Sequence, residues 1–130
     1  MEILMLLVVL ALVVFVVVNQ QPQNYFNGRI AAAQIFTGQE ISPTLLQYKT
    51  DTGSHPTTTQ GLTALISAPP GVSHWRGPYI KITAIPLDPW KNSYHYAFPS
   101  THGRPAGNFD CWSNGPDGIN GTADDIGNWK

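Results

Sequence analysis

The pattern of apolar and polar positions splits the chain into two unequal parts. Residues 3–18 (ILMLLVVLALVVFVVV) are sixteen consecutive apolar residues, and from Asn19 on the apolar positions are scattered among Gly, Pro, Thr and Asn. As a helix the run spans about 24 Å, slightly short of a hydrocarbon core of about 30 Å. A secretory signal peptide would carry Lys or Arg before the run and small residues at a cleavage site after it. Here Met1-Glu2 precedes it and Val-Val-Asn-Gln-Gln follows, so the expectation is an uncleaved membrane helix. In water a run this rich in Val is a β-aggregation hazard, whereas in lipid a helix satisfies its backbone. No Lys or Arg occurs before Arg29, so charge does not set its orientation. Glu2 heads the run. A carboxylate there is costly in lipid; it either rests at the headgroup level or acts as a registry device pairing with a positive group on another chain.

Beyond the run, Asn19–Gly28 is polar and uncharged and contains Pro22, which predicts an interruption or kink. Arg29–Gln39 is helix-like. Thr44–Tyr48 suggests a further helical turn, with Pro43 in its first turn and Ser42 as a possible cap, stopped by Thr50–Gly53. Thr57–Gln60 opens a short helix through Ile66, ended by Ala68–Gly71. Strands are expected over Tyr79–Ile85, Ser93–Phe98 and Asn108–Ser113, with a turn at Pro86–Lys91 that presents Trp90 to the core. Helices followed by short strands that can only be antiparallel indicate an α+β fold. The expected division is a transmembrane or filament-core helix over 1–25 and a globular domain over 26–130.

Composition narrows the chemistry. Seven Lys and Arg against eight Asp and Glu give a net charge of −1, which excludes a basic nucleic-acid footprint. One Cys excludes an internal disulfide and a Cys-rich zinc site. His55, His74, His95 and His102 lack metal-ligand spacing and read as surface or hydrogen-bonded residues. Cys111 reads as a small buried hydrophobe, Ser113 lacks the glycine-flanked elbow of a hydrolase, and the four Trp read as packing residues.

One segment carries chemistry. Asp117, Asp124 and Asp125, three of the eight acids, fall within nine residues, beside Asn114, Asn120 and Thr122 and among glycines that let the backbone curl. An oxygen-only, flexible, multi-carboxylate loop suits calcium better than magnesium, and it is not an EF-hand. The same composition also suits a solvated loop of Asx turns. Asn120-Gly-Thr122 matches a glycosylation sequon inside this loop, a match common by chance.

Three motifs in order give a resemblance. YKTDTGSHPTTTQGLTAL (48–65) resembles the YKLDNGxYPTTEQGLxAL stretch of type II secretion major pseudopilins. IPLDPWKNSY (85–94) resembles their LPxDPWGNxY turn. Phe109-Asp110, Ser113, GPDG (115–118) and DDIGNW (124–129) are similar to their closing FDxxSxGxDG…DDIGNW. Glu2 before an apolar run is also similar to the family.

The resemblance implies a structural subunit, not an enzyme. Its expected fold is a long N-terminal helix packed on a small antiparallel sheet, with a C-terminal calcium-binding loop. It implies assembly with copies of itself into a helical pseudopilus that drives folded proteins across the outer membrane. Expected partners are minor pseudopilins and an inner-membrane assembly platform, with membrane lipid before assembly. Each subunit would cross the inner membrane once and place its globular domain in the periplasm. The implied calcium ligands are the side chains of Asp117, Asp124 and Asp125, an oxygen from Thr122, and backbone carbonyls near Asn114 and Ile119. Glu2 would pair with the N-terminal amine of a neighbouring subunit. Other readings are a type IV pilus-like subunit, whose C-terminal disulfide Cys111 alone cannot supply, and a monomeric membrane-anchored calcium module.

The chain departs from the pattern in places. The family has a leader and cleavage motif before its glutamate and a methylated N-terminal Phe, whereas Met1 stands directly before Glu2. Asn19 stands where Pro often follows the apolar run. Gly38 and Pro43 fall where the family has continuous helix, and His55 replaces the Tyr before Pro-Thr-Thr.

Overall fold

A computed structural model of the chain describes residues 2–130, the side chains of Glu2, Gln20 and Gln21 excepted. A continuous helical rod runs from α1 (Glu2–Gln34) through a π-helical turn (Ile35–Glu40) into α2 (Ile41–Thr52), about 75 Å at 1.5 Å per residue. The large apolar residues of 3–18 are all exposed, from 49% at Val16 to 78% at Ile3. They stand clear of the globular part, as an arm destined for lipid or for other apolar helices must.

The interruption expected over Asn19–Gly28 is absent, and α1 passes through Pro22. Proline removes the bond to the Val18 carbonyl, yet the helix continues on both sides of it and the rod is not broken. Pro43 acts one turn upstream of itself. Lacking an N–H, and with a ring that crowds the carbonyl of Gln39, it is costly after a regular α-turn. The turn before it widens instead: the Ile41 N–H bonds the Phe36 carbonyl, five residues back. Thr37 is buried there, its hydroxyl donating to the Ala33 carbonyl at 3.0 Å. Ser42 therefore caps nothing, since the helix does not begin at Pro43. The rod ends at Gly53, whose φ of 92° is left-handed and whose N–H bonds the Lys49 carbonyl at 2.8 Å.

The expected helix from Thr57 to Ile66 reduces to a turn and a 3₁₀ segment (Leu62–Leu65). Thr57 and Gln60 cap one another: Thr57 N–H donates to Gln60 Oε1 at 2.9 Å and Gln60 N–H to Thr57 Oγ1 at 3.2 Å. Gly61, at φ 62°, then turns the chain out of helical geometry. Tyr79–Ile85 is not a strand. It is pinned by the Tyr79 N–H on the Leu65 carbonyl (2.8 Å), and the Tyr79 hydroxyl donates to Asp51 Oδ2 (3.0 Å), so it lies over the 3₁₀ turn and pairs with no strand.

The sheet has three antiparallel strands in the order β1 (His95–Ala97), β2 (Asp110–Ser113), β3 (Ile126–Gly127). His95 pairs with Trp112, Ala97 with Asp110, and Ser113 with Ile126. The first two strands lie inside expected ones. The third emerges from the acidic loop, where no alternation announces it. The core joins Phe36 of the π turn, Ile41, Leu45 and Tyr48 of α2, Leu62, Ala64 and Leu65, and Tyr96, Phe109 and Cys111 of the sheet side. Phe36 stacks on Tyr94 at 4.1 Å between centroids, and the Tyr96 hydroxyl donates to the Pro56 carbonyl at 2.8 Å. Trp90 is half-buried and lies outside this cluster. Its turn is held by backbone bonds to a carboxylate, described below, which leave the indole only partly covered.

Candidate functional site

The C-terminal loop leaves β2 at Ser113 and returns as β3 at Ile126. Gly115 makes the first bend at φ 68°, and a side chain there would strike the Asp124 carbonyl; only glycine lets the two arms of the loop close. Four oxygens gather at its far end. Thr122 Oγ1 lies 3.1 Å from the Ile119 carbonyl, 2.6 Å from Asp124 Oδ1 and 3.4 Å from Asp125 Oδ1. One hydroxyl proton can serve only one of these three acceptors, so the cluster carries more lone pairs than protons. Asp124 Oδ2 accepts the Asp117 N–H at 3.0 Å, and Asp125 Oδ2 the Gly121 N–H at 2.8 Å. The Thr122 hydroxyl, and then the Asp117 N–H, hold the Asp124 carboxyl below the usual carboxylate range. Asp125 is buried.

Asp117 and Asn114 border this cluster. The Asp117 carboxylate is exposed and accepts the Ile119 N–H at 2.8 Å, an Asx turn, and both its backbone N–H and its side chain act on the Asp124 carboxyl. The Asn114 side chain donates to the Gly118 carbonyl at 3.2 Å, while its buried Oδ1 has no hydrogen-bond partner. Among the described residues no three His, Cys, Asp or Glu side chains converge on one point. The convergence instead combines carbonyl, hydroxyl and two carboxylates, an oxygen set that suits a hard cation of calcium's type. The Glu2 side chain lies outside the described residues.

The loop is tied in on both sides. Asn128 brackets β2: its Oδ1 accepts the Cys111 N–H at 3.1 Å and its Nδ2 donates to the Phe109 carbonyl at 3.2 Å. Lys130 Nζ donates to the carbonyls of Ala123 and Asp125. A groove of about 340 Å³ separates the loop from the rod, with Phe26, Ile30 and Thr37 on one wall and Asp124, Asp125 and Ile126 on the other.

Three of the four histidines, His55, His95 and His102, are packing residues, and His74 is exposed. His102 Nδ1 pairs with Asp110 Oδ2 at 2.9 Å, and the ring stacks on Trp129 at 3.5 Å. His95 stacks on Trp112 at 5.0 Å. His55 is buried edge-on to Phe98 and Phe109, and burial, then the nearby Lys49 charge, depresses its pKa. Cys111 is fully buried, its thiol pushed up to about 12 by that burial, which suits the hydrophobe expected of it.

Sequence reasoning missed Asp88 and Ser113. Asp88 is 2% exposed, and its Oδ1 accepts the N–H of Trp90 (3.0 Å) and of Asn92 (2.8 Å). Its Oδ2 takes the Ser113 hydroxyl at 2.5 Å. The available signal was Asp-Pro-x-x-Asn, an acid placed to cap the next free N–H groups of a proline turn.

Comparison with known proteins places this architecture. The profile of the family described as "Type II secretion system (T2SS), protein G" matches residues 20–129. The chain belongs to that family. The "Type II secretion system core protein G" of Pseudomonas aeruginosa is 36% identical over 135 aligned positions, covering 98% of this chain and 90% of that protein. The protein of the same description from Klebsiella pneumoniae is 45% identical over 86 residues, and there the chain spans only 57% of its relative's length. The crystal structure of the major pseudopilin from the type 2 secretion system of enterohaemorrhagic Escherichia coli superposes with a TM-score of 0.68 at 33% identity, covering 84% of this chain and 89% of that one. The protein G fold, a long N-terminal helix on a small antiparallel sheet, is thus the fold of this chain.

Proposed function

We propose that the chain is the repeating subunit of a type II secretion pseudopilus. The observation that carries this reading is the joining of two surfaces on one rod. Residues 3–18 expose apolar side chains all round, while the same helix, from Phe36 on, builds the core of the globular domain. Such an arm has two stable environments, a bilayer and a bundle of its own kind, and passage from one to the other is what polymerisation from a membrane requires. The subunit crosses the inner membrane once and holds its globular domain in the periplasm. It adds to copies of itself, with minor pseudopilins and the inner-membrane assembly platform as its other partners, and the growing filament moves folded proteins outward. Its role is mechanical, without catalysis.

Calcium is the ion the loop suits. Asp124, Asp125, Thr122 and the Ile119 carbonyl would supply the oxygens already gathered, with Asp117 and a carbonyl near Asn114 completing the shell. The ion would neutralise the crowded carboxylates and lock β3 to β2. Glu2 pairs with the N-terminal amine of a neighbouring subunit, because an unpaired carboxylate inside an apolar bundle costs several kcal/mol and no Lys or Arg precedes Arg29.

The test is Glu2→Leu expressed beside wild type, with sheared-filament yield and membrane-fraction content measured in the same cells. Membrane insertion should be retained and filament yield should fall sharply. Normal filaments from the variant would remove the registry role. Absence of filaments from overexpressed wild type would leave a monomeric anchored module.

A further inference from the structure

The Asp-Pro-Trp turn and the C-terminal loop are separate motifs in sequence but one hydrogen-bonded unit in space. Asp88 is 2% exposed, and no cation pairs with it among the described residues. Two N–H groups of its own turn occupy Oδ1, which leaves Oδ2 for Ser113, 25 residues away and fully buried. A carboxylate can only accept, so the Ser113 hydroxyl donates to it, and Ser113 Oγ is then free to accept the Gly115 N–H at 3.0 Å. The direction of the relay is fixed, from the Gly115 N–H to the Ser113 oxygen and from the Ser113 proton to Asp88. It ends at the one glycine whose missing side chain admits the Asp124 backbone. A second contact repeats the link, since a side chain on Gly118 would press on Asn92 Nδ2 at 3.3 Å.

We infer that Asp88, acting through Ser113, is a positioning residue for the calcium loop: it sets where Gly115 sits and hence where Asp124 and its neighbours present their oxygens. This rests on the calcium reading given above. Asp88 holds no ion itself. Its effect belongs with partners beyond the ligand shell, whose loss typically lowers metal affinity about 10–100-fold. Asp88→Asn is the sharpest perturbation. The amide oxygen can still cap Trp90 and Asn92, but the amide nitrogen now faces Ser113 and must donate. The Ser113 hydroxyl then has to accept there, its own proton must turn away to a third direction, and the charge-assisted bond that fixes Ser113 Oγ under the Gly115 N–H is lost.

The experiment uses the full chain in detergent micelles. Calcium chloride affinity is measured by calorimetry. Terbium bound in its place is excited through tryptophan, and its luminescence lifetime in H₂O and D₂O counts coordinated waters. Asp88→Asn should bind calcium about 10–100-fold more weakly and show an additional water on terbium, while its circular dichroism in chelator matches wild type. Asp124→Ala, which removes a ligand directly, sets the scale for a lost site. Should Asp88→Asn not fold in chelator, Ser113→Ala carries the comparison, because it leaves both bonds from Asp88 to its own turn in place. Affinity within about threefold of wild type, with an unchanged water count, overturns the positioning role and leaves the calcium reading intact. Failure of wild type to bind calcium or terbium overturns the calcium reading itself.

Discussion

Asp110→Asn offers a quantitative test of how the end of the chain is fastened. Asp110 is fully buried at the head of β2, and its carboxylate gathers a whole loop. Oδ1 accepts the Ser100 hydroxyl at 2.7 Å; Oδ2 accepts the N–H of Thr101 at 2.6 Å, the N–H of His102 at 3.0 Å and His102 Nδ1 at 2.9 Å. An amide in its place puts its nitrogen beside Ser100, whose hydroxyl can rotate to accept, and keeps its oxygen facing the three nitrogen donors. Each of those three bonds then weakens from a charge-assisted bond of about 1.5–3 kcal/mol to a neutral one of about 1 kcal/mol. Summed over three, the loss is about 3 kcal/mol. Acid adds a second readout. Burial alone would raise the Asp110 pKa, but the Ser100 hydroxyl, the His102 ring and the two N–H groups outweigh it and hold the carboxyl below the usual range. With the folded value below the unfolded one, the contribution is complete above about pH 4 and is lost as pH falls through the folded value. Urea unfolding of a soluble fragment starting at Asn27, followed by tryptophan fluorescence from neutral pH into acid, measures both. The variant should lose about 3 kcal/mol at neutral pH and lose the Asp110 part of the acid limb. A loss under about 1 kcal/mol, or an acid limb as steep as in wild type, would refute the reasoning.

Three further outcomes follow from the same geometry. Lys91 sits at φ 72°, where the family pattern has Gly. Lys91→Gly should relieve about 1–2 kcal/mol of left-handed strain, offset by about 0.5–1 kcal/mol of chain entropy, and so raise the urea midpoint. His55 has a depressed folded pKa, caused by burial and then by Lys49, so its contribution is intact above its unfolded value near 6.5 and stability drains as pH falls below that. His55→Tyr should flatten the slope below about pH 6.5, and an unchanged slope would mean that another group titrates there. Gly115→Ala combines left-handed strain of about 1–2 kcal/mol with a clash on the Asp124 carbonyl. Its melting temperature should fall and no longer rise on adding calcium; a wild-type response to calcium would refute the close approach.

What the sequence made legible is the material whose physics is local. The apolar run, the buried alternation around Tyr96 and Cys111, and the oxygen-rich loop each speak through a short window. The misreadings arise where distant partners decide. Asn19–Gly28 looks like a break because Pro22 forbids one hydrogen bond, yet the chain on both sides prefers helix. Tyr79–Ile85 looks like a strand, but its one backbone bond goes to Leu65, and a strand without a partner is no strand. Ile126–Gly127 becomes β3 only because Ser113 and Trp112 lie opposite. Of the candidate site, the acidic cluster of Asp117, Asp124 and Asp125 was legible from residue types and spacing, whereas the parts given to Thr122 and the Ile119 carbonyl came only with the family resemblance. The role of Ser113 was not, because a serine beside a tryptophan in a strand says nothing about an aspartate 25 residues earlier.

The widened turn before Pro43 acts on bearing as well as on length. Ala33, Thr37, Ile41 and Leu45 recur every four residues and are all buried, yet in an unbroken α-helix such a spacing drifts about 40° at each step. The π turn absorbs that drift by taking one residue more into its circuit. Everything on the membrane side of Ile35 is thereby turned by about one residue's angle, on the order of 100°, relative to where a regular helix would aim it. Within a filament, where each arm must meet its neighbours along a fixed azimuth, Pro43 and the widened turn before it thus work as a compass setting. They decide which flank of the arm faces inward and which faces the next subunit, without altering a single side chain on either flank.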